Sequence, residues 1–231
     1  MARITKRLST RGCEPACMIP EHTDAALASL DPDLVARLRF VLEADALKTV
    51  LRRNSLTDGS RRENTGEHSW YLALMALVLA PYSREPVDIS RVVEMLLVHD
   101  IVEIDAGDTF VYDTEAREHK EALEQRAADR LFEMVPGDDG SRLRARWDEF
   151  EAATTPEARF AHSLDRLAPL LLNHANRGEL WAEYGITADR VVAMNSYIAD
   201  GSPDLWTAAR ALLDDAIAKG WLEGEANPSG A

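Results

Sequence analysis

The run Val92-Val93-Glu94-Met95-Leu96-Leu97-Val98-His99-Asp100-Ile101-Val102-Glu103-Ile104-Asp105-Ala106-Gly107-Asp108 constrains the fold of this 231-residue chain more than any other stretch. Val92, Val93, Leu96 and Leu97 fall at helical spacing, so the run reads as one helix with a face in the core. Gly107 is a suitable residue to end it, which puts Asp108 just outside. Toward that end stand a histidine and the acidic groups Asp100, Glu103, Asp105 and Asp108. Such groups are costly to desolvate and persist beside a core where a metal or a catalytic task compensates.

The flanking sequence is helical throughout. Asp31-Pro32 places an N-cap and a first-turn proline before Leu34, Leu38, Val41 and Leu42. That pattern resumes through Ala46, Leu47 and Val50 and ends in Leu51-Arg52-Arg53-Asn54-Ser55, followed by a polar loop over 57–64. Asn64 and Glu67 are spaced as a capping box for a helix carrying His68, Leu72, Met75 and Leu79. Further helices are expected over about 115–134, 141–153 and from Pro156 through Leu172. Two more run from Ala188 to Ile198 and from Pro203 to a stop at Gly220. The segment between Thr109 and the next helix reads as irregular. With no alternating strand pattern, repeat or linker, the expectation is a single all-α domain over 25–222. A flexible leader over 1–24 and a flexible tail over 223–231 flank it.

Composition narrows the partners. A net charge of −14 opposes binding to nucleic acid polymers or to an anionic membrane surface, so an anionic substrate needs local cations. No apolar run is long enough to span a membrane, because His99 and Asp100 interrupt the longest. The basic residues near the N-terminus precede no apolar segment, so they do not read as a secretory signal, and the default compartment is the cytoplasm. Cys13 and Cys17, an isolated C-x3-C pair, read as incidental reduced thiols.

The chemistry-bearing residues gather at a few points. His68 lies near the start of its helix, His99 and Asp100 are adjacent, and Asp165 sits mid-helix in Ala161-His162-Ser163-Leu164-Asp165-Arg166-Leu167. Two imidazoles and two carboxylates from three helices make a mixed N/O site for one divalent transition metal, and Mn, Co, Fe, Zn or Ni all suit it. Taken singly, His68 could be a satisfied histidine and Asp165 a partner of Arg166 or Arg159. His119, His162 and His174 read as structural or solvated. Asp105 has no assigned role.

In order along the chain, His68, His99-Asp100 and Asp165 resemble the metal-binding pattern of the HD-domain phosphohydrolases, and among them the 5′-deoxynucleotidases. The resemblance covers about residues 40–175. It includes His-Asp-x-x-Glu-x-x-x-Gly-Asp at 99–108 and Glu63-Asn64-Thr65-Gly66-Glu67-His68-Ser69 before the first histidine. It implies an HD-domain helical bundle in which His68, His99, Asp100 and Asp165 hold the metal. Glu103 would orient or deprotonate the attacking water, and Asp108 would contact the sugar hydroxyl or assist the leaving oxygen. Arg53 would hold the phosphate, with Arg61 or Arg62 adding to it. A metal that acidifies its water and an arginine that clamps phosphate are the parts such a hydrolysis needs. One position departs: the better-known deoxynucleotidases carry a tryptophan after the phosphate arginine, and here it is Asn54. A polar side chain there tolerates or hydrogen-bonds a ribose hydroxyl.

The resulting expectation is an enzyme, a metal-dependent phosphomonoesterase acting on nucleoside 5′-monophosphates. The alternatives are hydrolysis of another small phosphorylated metabolite at the same site, or a non-catalytic nucleotide- or metal-binding regulatory domain. The apolar, Trp-bearing last helix is a candidate homodimer contact.

Overall fold

In the computed structural model, which describes residues 20–107 and 114–224, α1 (Glu21–Leu27) leads into α2 (Pro32–Ala44). The leader expected over 1–24 therefore lies outside the described residues up to 19, and its end forms the first turn of α1. Asp31 caps α2 as predicted, accepting from Leu34 N at 3.0 Å, with Pro32 in the first turn.

Beyond Ala44 the structure departs from the helical reading. A 3-10 turn over Asp45–Thr49 hands the chain to β1 (Leu51–Ser55), which pairs antiparallel with β2 (Arg62–Asn64). Leu51 faces Asn64 and Ser55 faces Arg62, with an irregular register between them. The expected helix end and polar loop are thus a hairpin. Along β1, Arg53 is exposed while Arg52 is half-buried and Asn54 buried. The inward face meets a polar cavity instead of the core, so no alternation of hydrophobicity marks the strand.

Asn64 both ends β2 and starts α3 (Thr65–Leu79). Its Oδ1 accepts from Glu67 N at 2.9 Å, and Glu67 Oε2 accepts from Asn64 N at 3.2 Å, which completes the predicted capping box. After a short 3-10 turn come α4 (Ile89–Val98) and α5 (Glu103–Ala106). The central run is therefore not one helix. Past Val98 the bonding tightens to i→i+3, with Ile101 N to Val98 O at 3.2 Å and Glu103 N to Asp100 O at 3.0 Å. Gly107 ends α5 at φ +75°, as expected of a residue free of a Cβ.

Then follow α6 (Thr114–Glu133), α7 (Asp138–Ala152) and α8 (Pro156–Ala175). The helix expected from about residue 141 starts earlier, at Asp138. The chain closes with α9 (Glu179–Glu183), α10 (Ala188–Asn195), α11 (Ile198–Gly201) and α12 (Pro203–Ala218). The fold is all-α, with the hairpin as an appendage, and no helix among the described residues is long and apolar enough to cross a membrane.

Two apolar clusters hold the domain. The larger joins α3, α4, α8 and α12 through Leu72, Leu96, Leu164 and Leu213, all fully buried. Burying each such side chain contributes about 1.5–3 kcal/mol. The smaller packs Ile101 and Val102 against Leu131 of α6 and Trp147 of α7. In sequence, His99 and Asp100 come just after the chain passes from the first cluster, at Leu96, to the second, at Val98. On α12 the face formed by Leu205, Ala209, Leu213 and Ala216 is buried within the chain's own core.

Candidate metal centre

His68 comes from the first turn of α3, which the capping box orients, and is fully buried. His99 is the residue at which α4 ends, and Asp165 projects from the middle of α8. His68 Nε2 lies 3.0 Å from Asp165 Oδ1, and His99 Nε2 lies 3.9 Å from the same oxygen. One ligand atom from each of the three residues falls within 4.8 Å of the others. Asp100, the fourth member of the expected set, flanks them, its Oδ2 3.1 Å from His99 Nε2.

The imidazoles are prepared for ligation. His99 Nδ1 donates to the Leu96 carbonyl at 3.0 Å, which turns Nε2 toward the carboxylates. That Nε2 is buried without a well-aligned hydrogen bond. Burial by itself would lower the His99 pKa, but the Asp100 and Asp165 carboxylates outweigh it and raise it to about 9. Burial likewise opposes ionisation of Asp165, yet the hydrogen bond from His68 and the charges of Arg166 and His99 hold it well below the usual carboxylate range. A pocket that keeps two carboxylates ionised and draws a proton onto a buried imidazole is one whose charge a divalent cation would balance. Two imidazole nitrogens with carboxylate oxygens are a donor set for such an ion.

Above the cluster opens a cavity of about 790 Å³, lined among others by Arg52, Arg53, Asn54, Asp100, Glu103 and Asp165. Glu103, almost fully buried at the start of α5, accepts from Thr65 Oγ1 at 2.9 Å through Oε2. Asn54 reaches the Pro169 carbonyl at 3.4 Å. Arg53 lines the cavity and donates to Tyr184 Oη at 3.3 Å. Arg61 is not brought there: its guanidinium is held by Glu67 at 2.5 and 2.8 Å, on the outside. Asp108 lies outside the described residues.

Several residues without a role in the sequence reading belong to the site. Arg52 Nη1 donates to Asp100 Oδ2 at 2.8 Å, and its Nε is 3.8 Å from Glu63 Oε2. Glu63 Oε2 in turn lies 3.3 Å from His68 Nδ1. Arg166 adjoins Asp165, with Nε 3.7 Å from Oδ2. The available signal was the conjunction of Glu63 and Thr65 in the segment before His68, since both are polar where α3 enters the core. Asp105 is explained structurally: Arg130 bonds it at 2.6 and 2.8 Å and reaches Glu43 at 2.7 Å. His162 stacks on Phe150 and bonds its carbonyl at 2.7 Å, and His174 pairs with Asp215 at 2.7 Å. His162 also lines the cavity.

A family model described as HD domain matches residues 44–206. The chain belongs to the HD-domain family. Within it, this HD domain is similar to the crystal structure of a predicted metal-dependent phosphohydrolase from Magnetospirillum magnetotacticum MS-1. The two are 50% identical with a TM-score of 0.79, over 83% of this chain and 96% of that one. It is also similar to 5′-deoxynucleotidase HDDC2 of Bos taurus, 31% identical over 135 residues, and to that of Homo sapiens, 29% identical over 135 residues. Those matches take in 58% of this chain, and they span 64% and 65% of the lengths of these curated relatives, just under two thirds.

Proposed function

We propose that this HD domain is a metal-dependent phosphomonoesterase that hydrolyses nucleoside 5′-monophosphates to nucleoside and inorganic phosphate. The observation that carries the reading is the His68, His99 and Asp165 cluster, of which His99 and Asp165 line the cavity together with Glu103. The name 5′-deoxynucleotidase borne by the curated relatives supports the choice of substrate class.

In this reading His68, His99, Asp100 and Asp165 hold one divalent transition metal ion. When bound, such an ion acidifies a water ligand and neutralises phosphoryl oxygens. Glu103 takes the proton of the attacking water, and Thr65, by donating to one oxygen of that carboxylate, fixes its orientation. The water oxygen bonds to phosphorus as the bond from phosphorus to the sugar oxygen breaks, and the leaving oxygen ends protonated. Asp108 serves the sugar hydroxyl or that leaving oxygen. Arg53 receives non-bridging phosphate oxygens, and Asn54 faces the sugar, where its amide suits either a ribose or a deoxyribose.

The test is phosphate release from a panel of ribo- and deoxyribonucleoside 5′-monophosphates and unrelated phosphate esters, each with Mn, Co, Ni, Zn and Fe. Turnover with at least one nucleoside monophosphate, abolished by chelation, is expected. Turnover confined to other phosphate esters would transfer the reading to a different metabolite. No turnover with any metal would refute it.

A further inference from the structure

Among the described residues four arginines line the cavity: Arg52, Arg53, Arg159 and Arg166. Arg52 is tied to Asp100 at 2.8 Å, and Arg159 to Glu85 and the Thr154 carbonyl at 2.6 and 2.7 Å. Arg53 turns its Nη1 to Tyr184. Arg166 differs. Its Nε is buried and has no hydrogen-bond partner among the described residues. The neighbouring Asp165 Oδ2 is 3.7 Å away, too far for a hydrogen bond, while the other oxygen of that carboxylate is taken by His68.

A guanidinium N–H left buried without an acceptor is unfavourable. The rest of the group is accommodated: Arg166 packs over Tyr197, Cζ 5.7 Å from the ring centroid, and the Asp165 charge and a hydrogen bond with Tyr197 favour its charged form against burial and the positive charge of Arg52. Two cations lining one cavity, one with an unmet donor beside a metal-ligand carboxylate, are arranged for a small anion. The guanidinium presents Nε and a neighbouring Nη in one plane, spaced for two oxygens of a phosphate.

We infer that Arg166 binds the substrate phosphate directly, donating Nε–H to a non-bridging oxygen next to the metal cluster. This rests on the phosphomonoesterase reading and adds to it a binding residue from α8, besides the Arg53 that the hairpin carries.

The experiment measures inorganic phosphate binding to the full chain loaded with Mn, by calorimetry and by the shift in thermal midpoint, for wild type, Arg166→Gln and Arg166→Lys. Metal stoichiometry and steady-state kinetics are measured on the same samples. Arg166→Gln is expected to weaken phosphate binding and raise KM by about tenfold or more, with metal content unchanged. Arg166→Lys keeps the charge but loses the planar pair of donors, and is expected to restore binding only in part. Phosphate affinity in Arg166→Lys and Arg166→Gln equal to wild type would overturn the inference, as would a wild type that binds no phosphate. If Arg166→Gln unfolds, wild-type affinity in Arg166→Lys overturns it and weakened affinity upholds it. Phosphate binding that depends on Arg166 in a chain that hydrolyses no monophosphate would uphold the anion site and refute the phosphomonoesterase reading alone.

Discussion

Oε2 of Glu63 stands 3.3 Å from Nδ1 of His68, and both side chains are almost fully buried. The contact is not aligned as a hydrogen bond, yet a carboxylate behind an imidazole makes its far nitrogen a better ligand. Glu63→Gln keeps the shape and loses the charge. It is expected to weaken metal affinity by about 10–100-fold, read by competition with a chromophoric chelator. Unchanged affinity in a folded variant would show that Glu63 serves packing alone.

Glu103→Gln separates metal binding from proton transfer. The amide oxygen can still accept from Thr65, so fold and metal content are expected to persist. Phosphate release is expected to fall by about 10²–10⁴-fold. Measuring bound metal alongside turnover decides the matter, and near-wild-type turnover would remove Glu103 from the mechanism.

Trp147 of α7 donates Nε1–H to the His99 carbonyl at 3.0 Å and is fully buried. Trp147→Phe leaves that carbonyl without its donor and opens a small void beside Ile101 and Val102. A loss of about 2–4 kcal/mol is expected. A denaturant titration reads it as a lower midpoint at unchanged slope. Wild-type stability would mean that the turn after α4 is held by other contacts.

Acid stability should depend on His162. Burial lowers its pKa, and this outweighs the Phe150 carbonyl and the Asp165 charge, which favour the protonated ring; Arg166 and His99 also disfavour it. The folded chain therefore refuses a proton that the unfolded chain accepts at its ordinary pKa of about 6.5. The contribution is fully present above that value and is lost as pH falls toward the folded pKa. His162→Gln retains an N–H donor for Phe150 and does not titrate. Its stability should fall less steeply as the pH drops below about 6.5 than that of wild type. Parallel curves would assign the acid limb to other groups.

The sequence carried the helical class, the capping of α2 and α3, and the convergence of His68, His99 and Asp165, because caps and helical periods are local signals. Two features escaped it. Arg52 and Asn54 point inward from β1, yet the inward side is a polar cavity, so the strand lacks the apolar alternation by which strands are read. The break after Val98 was hidden because Ile101, Val102 and Ile104 keep an apolar rhythm through the turn, serving the second cluster instead of the first. Glu63 and Arg166 were legible as residues but not as partners, since their roles arise from contacts with other elements.

Asn64 belongs at once to β2 and to the cap of α3, so the hairpin and the first turn of that helix form one rigid corner. The positions of Arg52 and His68 relative to each other are then set by strand pairing and not by the number of residues between them. The connecting segment, closed by Leu56 N to Arg61 O at 2.9 Å, is exposed from Thr57 to Arg61. Lengthening a loop costs little, about 0.6 kcal/mol per doubling. A fluorophore-bearing peptide or an affinity tag inserted after Gly59 would therefore be carried on an exposed loop, with the ligand-bearing corner undisturbed.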